Sequence, residues 1–408
     1  MGTLGGRLII VLIMPALTRI YSPAHFSTLA SYSAILAIVA VISCMRFEIA
    51  IPMPKSDIEA ESLLLISLLG SLVVSFITAA PLIFHAEKIL TLLPAIKNPL
   101  ILWLIPLGTL FVGIYQASLY WTSRTRHFKD IALTRVSQAA VGVAAMLCLG
   151  LLGYGSIGLT LGHMLMTSAG ALGLLMKAKK RHSHIFFGVT FDSIKSAAIN
   201  YRKFPLWSMP EALANVCGLQ LSILIVAAFA PDGEAGHLML AMQVMLLPMS
   251  LVGTSISQVY LSRASEEFEQ GRIRNFTMII VRRLALISIL PIAIVGLTGP
   301  WLFPMIFGNE WLRSGEISAL MVPWVYLQFI VVPVSMIFHV VGYNGSAMLV
   351  QFCGLGLRLS GLYLGPLIGI GYVEGLIAAS SIFYLFMLLA IVSLAKRFAP
   401  HGEKGATR

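Results

Sequence analysis

Runs of about twenty apolar residues recur from one end of this chain to the other, and they leave it few ways to fold. About twenty helical residues cross a hydrocarbon layer. A backbone in lipid finds no water to bond, so each such run closes its own hydrogen bonds as a helix. With 58% hydrophobic and only 11% charged residues, the 408-residue chain also lacks the charge to coat a water-soluble body of its size. The expected class is an all-α polytopic membrane protein.

Twelve spans are expected, at approximately 2–18, 25–44, 60–84, 99–121, 134–153, 156–177, 206–229, 237–261, 283–305, 317–340, 346–366 and 372–395. The first is the weakest, because its apolar run Leu8–Leu17 is short; the natural helix is expected to be longer than the part present here. It is not a signal peptide, since "PALTRIYSP" follows as a helix end and turn rather than a cleavage site. Basic residues collect on cytoplasmic loops. With both termini inside, 23 of the 28 Lys and Arg residues fall on the inner side, Arg19, Lys88, Lys97 and Arg313 fall outside, and Arg358 lies within a span. The longest hydrophilic connection is basic and separates helices six and seven. The expected organisation is therefore a six-helix bundle over 1–181, a cytoplasmic linker over 182–204, a second six-helix bundle over 205–396 and a cytoplasmic tail over 397–408. Equal halves on either side of a linker suggest a two-bundle transporter around a central cavity. The segment "SRASEEFEQGRIRNF", with charges alternating in sign, reads as an interfacial helix.

Other function classes find little support. The net charge of +11 is explained by topology rather than by nucleic acid. Cys44, Cys148, Cys217 and Cys353 stand singly in apolar runs, without metal-ligand spacing. No nucleotide-binding glycine loop and no nucleophile–base pair emerges, so neither a catalytic residue nor a cofactor is expected, and the chain reads as a transporter rather than an enzyme.

Polar groups inside the spans are the candidate site. An arginine at mid-helix costs about 2.5–3.5 kcal/mol on insertion scales and normally faces protein or water. Arg358 is such a residue, and it reads as a contact for an anionic substrate or else as a structural arginine that snorkels or pairs. On its helix Gly361, Gly365 and Gly369 form a close-packing stripe. Helix seven sets Glu211, Asn215, Gly218 and Ser222 on one face, and helix eight sets Gln243, Ser250, Thr254 and Ser257. These stripes are either cavity walls or interhelical hydrogen-bonding seams. Tyr115, Gln116 and Tyr120 offer a face for a sugar, or anchors at the membrane interface. His163 and His339 read as structural histidines.

The segment "MRFEIAIPMPKSDIEAE", Met45–Glu61, breaks two apolar runs with four acids, two bases and two prolines. Arg46 and Glu48 are expected to close the second helix, and Pro52 and Pro54 keep the middle extended. "SDIE" predicts a capping box in which Ser56 and Glu59 satisfy each other's amides.

Several segments together resemble a known family: "LTRIYSPAHF", "MRFEIAIPMPKSDIEAE", "NYRKFPLWSMPEAL", "LLPMSLVGTSISQVY" and "IFGNEW". They are similar to the Wzx-type polysaccharide-biosynthesis flippases of the multidrug/oligosaccharidyl-lipid/polysaccharide exporter superfamily. Phe47 stands where that family usually has tyrosine, and Ser27 where it commonly has glycine. The resemblance implies two six-helix bundles working by alternating access in the bacterial inner membrane. It implies as substrate an undecaprenyl-pyrophosphate-linked oligosaccharide for O-antigen, capsule or exopolysaccharide synthesis, with polysaccharide polymerase and chain-length proteins as possible company. On that footing Arg46, Arg202 and Lys203 would attract the pyrophosphate at the cytoplasmic mouth and Arg358 would hold it deeper. Glu211, Asn215, Gln243 and Gln116 would meet the sugar. A multidrug exporter of the same superfamily and a membrane glycan polymerase or ligase are the alternatives.

Overall fold

The computed structural model describes residues 2–181, 188–246 and 253–398, which are helical throughout apart from short connections, with no strand among them. Nine helices among these residues are long and apolar enough to cross a membrane, and ten if the bent pair Asn309–Leu320 and Val322–Val334 is one span. Of the other two expected spans, 2–18 falls within α1 (Gly2–Ile20), and 237–261 runs through residues outside those described. The protein is thus a multi-pass membrane protein of the expected all-α class.

Contacts divide the chain into two compact units, Met1–Gly236 and His237–Arg408. This division falls after α9 (Met209–Phe229) rather than at the basic linker, because α9 lies along α2 (Pro23–Ser43). The rest of the first unit comprises α3 (Asp57–Leu92), α4 (Pro99–Arg124), α5 (Phe128–Leu151), α6 (Gly155–Ser168), α7 (Ala171–Arg181) and α8 (Phe191–Asn200). Long apolar side chains such as Phe76, Ile77 and Phe84 of α3 stand exposed, as lipid-facing residues do. Inside, close backbone approaches do the packing: a Cβ at Gly142 of α5 would lie 2.8 Å from the Gly162 carbonyl of α6. The Tyr21 hydroxyl donates to the Met146 carbonyl at 2.6 Å, so the polar end of a buried ring is satisfied.

One end of this unit is tied by short polar contacts. Thr28 donates to the Ala95 carbonyl at 2.6 Å, Lys97 pairs with Asp232 at 2.6 Å, and the Gly236 amide donates to Ser27 Oγ at 2.8 Å. The serine at a position commonly glycine in the resembling family thus supplies a bond that glycine lacks. A Cβ at Gly236 would sit 2.1 Å from the Pro23 carbonyl, so only glycine lets the chain come this close. Ser27, Ala95, Lys97 and Asp232 border a cavity of about 290 Å3.

The second unit contains α10 from His237 onward (Glu234–Met245), α11 (Thr254–Glu269), α12 (Ile273–Phe307), α13 (Leu312–Leu320), α14 (Val322–Val334), α15 (Ile337–Val340), α16 (Asn344–Leu367) and α17 (Tyr372–Arg397). Three expectations change here. "SRASEEFEQGRIRNF" is not a separate interfacial helix: its first half ends α11 and its second half begins α12, with Gly271 turning between them at φ +69°. The tenth expected span is bent by 54° where α13 meets α14, next to Pro323, whose ring removes a backbone donor. Gly369 does not continue the glycine stripe, because α16 has ended at Leu367 and Gly369 takes a left-handed turn, φ +81°.

The remaining stripe is a true contact. A Cβ at Gly361 would lie 2.5 Å from the Gly375 carbonyl of α17, and one at Gly365 would lie 2.8 Å from the Gly371 carbonyl. Gly361→Val therefore forces α16 and α17 apart, an overpacking that costs typically about 1–3 kcal/mol. The thermal midpoint of the purified protein is expected to fall. Gly356→Ala, with nothing within 4 Å of the new methyl, is expected to leave it unchanged.

Candidate functional site: a basic corner between α2, α3 and α4

The Met45–Glu61 segment folds inward. After α2 ends, Met45 and Arg46 take left-handed conformations (φ +52° and +63°), and a 3-10 turn over Phe47–Ala50 follows. L-residues pay about 1–2 kcal/mol each for that conformation. What sustains it is burial: Phe47, Ala50 and Ile51 enter a cluster with Ala60, Leu63 and Leu64 of α3, Ala117 and Trp121 of α4, Ala178 of α7 and Ala197 of α8.

Arg124, in the last turn of α4, closes the corner. It donates to the Pro54 carbonyl at 2.5 Å, reaches the Ile51 and Ser56 carbonyls at 3.5 Å, and pairs with Asp57 at 2.8 Å. This overturns the expected capping box. Ser56 is indeed the N-cap of α3 but makes no side-chain cap bond, while Glu59 accepts from Asn200 of α8 at 3.2 Å. The acids of the first turn are drawn to long-range partners, which a purely local signature does not register.

Tyr201 and Phe204 pack against the same cluster, so the exposed pair Arg202 and Lys203 between them is brought to the rim of the Arg46 turn. Phe204–Ser208 forms a π-helical turn that leads into α9. Three of the expected site residues, Arg46, Arg202 and Lys203, therefore each adjoin in sequence a residue packed in this one cluster, although some 155 residues of chain lie between Arg46 and Arg202. Burial pushes the Glu48 carboxyl above the usual carboxylate range, and the Arg46 charge opposes that shift. Tyr201 is also pushed up, by burial and by Glu59, with Arg124 opposing.

The other expected residues do not join this corner as a set. Gln116, like Tyr115 and Tyr120, is half-buried on α4. On α9, Gly218 and Ser222 are buried, and Ser222 donates to the Gly218 carbonyl of its own helix at 3.1 Å. Glu211 is half-buried and Asn215 exposed, so the four residues do not form one uniform wall. Gln243 is half-buried on α10, Ser250 lies outside the described residues, as do the side chains of Thr254 and His339, and Ser257 donates within α11. His163 meets Tyr32 edge-on at 6.2 Å.

Arg358 is 5% exposed between α16 and α17. Its guanidinium carbon lies 4.7 Å from the centre of the Phe383 ring and 5.7 Å from that of Tyr384, and Nε donates to Ser380 at 3.4 Å. The aromatic faces and the hydroxyl take up the charge, which makes the residue an internal strut in this conformation. A desolvated cation–π contact is worth about 2 kcal/mol. Arg358→Ala is therefore expected to lower thermal stability and the yield of inserted protein, with Arg358→Lys intermediate. A variant of wild-type stability would count against the strut.

Comparison with known proteins places the chain. The profile of the family described as "Polysaccharide biosynthesis protein" matches residues 16–316. Among solved structures, the lipid II flippase MurJ in an inward closed conformation superposes with TM-score 0.71 at 15% identity, covering 98% of this chain and 88% of that one. An inward-facing multidrug resistance MATE family transporter of the MOP superfamily gives TM-score 0.67 at 13% identity, covering 97% and 96%. A Vibrio cholerae MATE transporter, VcmN, gives TM-score 0.60 at 14% identity, covering 97% and 94%. At such identities the likeness is one of fold. No curated sequence matches significantly. The matched segment runs from the end of α1 to α13, and the chain belongs to the polysaccharide biosynthesis protein family.

Proposed function

We propose that the protein is a flippase that moves an undecaprenyl-pyrophosphate-linked oligosaccharide across the bacterial inner membrane by alternating access. The observation that carries this reading is the cluster in which Phe47, Tyr201 and Phe204 pack, the neighbours in sequence of Arg46, Arg202 and Lys203. A pyrophosphate needs cations, and arginine offers it a planar, two-pronged donor. On the lysine and arginine count this end faces the cytoplasm, where a lipid-linked precursor would be presented. Arg202 and Lys203 are exposed, as suits groups that attract the headgroup, while the half-buried Arg46 lies deeper in the corner. The polyprenyl tail would stay in the bilayer beside exposed apolar residues such as Leu206 and Trp207. Sugar contacts are assigned to Gln116, Asn215 and Glu211 of the first unit, which carry the amides and carboxylate that hydroxyl groups bind. Polysaccharide polymerase and chain-length proteins are the partners this role would require.

A drug exporter of the same fold would need acidic groups for organic cations. Of the two acids nearest the spans, Glu374 is engaged by Arg313, and Glu211 lies in the first turn of α9. The anionic substrate is therefore the better match.

The test is a leaflet assay in proteoliposomes carrying a fluorescent undecaprenyl-pyrophosphate oligosaccharide. Wild-type protein is expected to expose the sugar on the opposite side. Arg46→Ala should slow this roughly tenfold or more, the worth of a hydrogen bond to a charged group. Arg202→Ala with Lys203→Ala should weaken uptake mainly at low ionic strength, as rim charges do. Transport of cationic dyes with no movement of the lipid-linked sugar would overturn the flippase reading.

A further inference from the structure

The two arginines of the basic corner are used very differently. Arg124 is saturated, with three carbonyls and a carboxylate around it. Arg46 meets Glu48 at only 3.9 Å, the outer limit of an ion pair. Its Nε is buried with no hydrogen-bond partner, and so is Glu48 Oε2, on a carboxylate that is 2% exposed. A buried ion pair offsets its desolvation only when its geometry is good and its remaining polar atoms are bonded. This pair meets neither condition. It is held, moreover, on the two consecutive left-handed residues Met45 and Arg46. Strain and unsatisfied charge at one turn mark an element with a second favourable arrangement.

The guanidinium side chain is 25% exposed, so an anion arriving at the rim can reach it while Glu48 remains enclosed. We propose that Glu48 is a resident stand-in for the substrate's anion: the pyrophosphate of the lipid takes the Arg46 guanidinium from Glu48, and the released carboxylate accepts one proton from the cytoplasmic side. The charges balance. Before binding, Arg46 and Glu48 neutralise each other; afterwards Arg46 is neutralised by the phosphate oxygens and Glu48 is a neutral acid. Burial already raises the carboxyl, against the lowering effect of a bond from its own backbone amide and of the Arg46 charge, so withdrawal of Arg46 raises it further. The sign follows: the bound form holds the proton more tightly, so binding strengthens as pH falls.

The other groups around the turn leave this role to Glu48. On α3, Asp57 is held by Arg124 and Glu59 by Asn200, and Lys55 is exposed before that helix. On α4 stand Tyr120 and Arg124, and on α7 Lys177 is paired with Asp130. Half-buried Glu61 stands on α3, exposed Asp192 and Lys195 on α8, Tyr201, Arg202 and Lys203 follow α8, and Cys44 precedes the turn. Among these, Glu48 is the carboxylate buried with an unbonded oxygen.

The inference rests on the pyrophosphate reading above, and the experiment separates the two. Full-length protein in nanodiscs is titrated with farnesyl pyrophosphate by calorimetry near neutral pH, in two buffers of different ionisation enthalpy. Wild-type protein is expected to take up close to one proton per lipid bound beyond that of the ligand itself. Glu48→Gln keeps the side-chain shape and is expected to bind roughly tenfold tighter, about the worth of one charge-assisted hydrogen bond, with that extra uptake lost. Binding by wild-type protein without extra proton uptake, or unchanged uptake in Glu48→Gln, overturns the stand-in role and leaves the substrate reading intact. No binding to wild-type protein overturns the substrate reading and this inference with it. If Glu48→Gln does not fold, the wild-type proton count decides alone.

Discussion

Everything at the basic end depends on the Arg124 guanidinium. By binding the carbonyls of Ile51, Pro54 and Ser56 and the carboxylate of Asp57, it fastens the end of α4 to the start of α3. Two prolines had already freed this stretch of backbone from helical bonding, and a buried carbonyl without a partner is costly. Arg124 supplies donors to the buried Ile51 and Pro54 carbonyls, while the Ser56 carbonyl also accepts from the Ala60 amide of α3. With the corner anchored, Phe47 and Ile51 can be driven into the helix cluster, and that insertion holds Arg46 in its left-handed turn. The order of cause runs from proline to carbonyl to arginine, and then to the half-buried Arg46.

This chain shows which features of a membrane protein can be read along one dimension. Most spans were legible, because apolar length is a local property: 60–84 and 372–395 fall within α3 and α17. Helix ends were less so. The separate interfacial helix failed because the charged run is split at Gly271, its first half ending α11 and its second half beginning α12. The capping box failed because Asp57 and Glu59 answer to Arg124 and Asn200, partners far along the chain.

The candidate site was legible in its parts and not in its assembly. Arg46, Arg202 and Lys203 stand out as charges, but the packing of their neighbours Phe47, Tyr201 and Phe204 in one cluster is something for which spacing gives no sign. Arg358 was open to two readings for the opposite reason. A cation in an apolar helix draws attention from its cost alone, while the compensation lies on the next helix, in Ser380, Phe383 and Tyr384. Its ring partners are spaced as ordinary core residues of α17 and carry no distinguishing pattern.

The placement of α9 has a consequence for how the chain can be divided. Although α9 follows the basic linker, it shares the first unit with α2, and Ser27 holds the Gly236 amide beyond it. A fragment ending before the linker would leave the α9-facing side of α2, including Pro23 and Ser27, without its cover. The fragment beginning after the linker would carry α9 with its Ala214–Gly218–Ser222–Val226 face open. Each piece would hold the complement of the other, so the two should reassemble when made together and misfold when made apart. The linker is a break in hydropathy. It is not a seam in the fold.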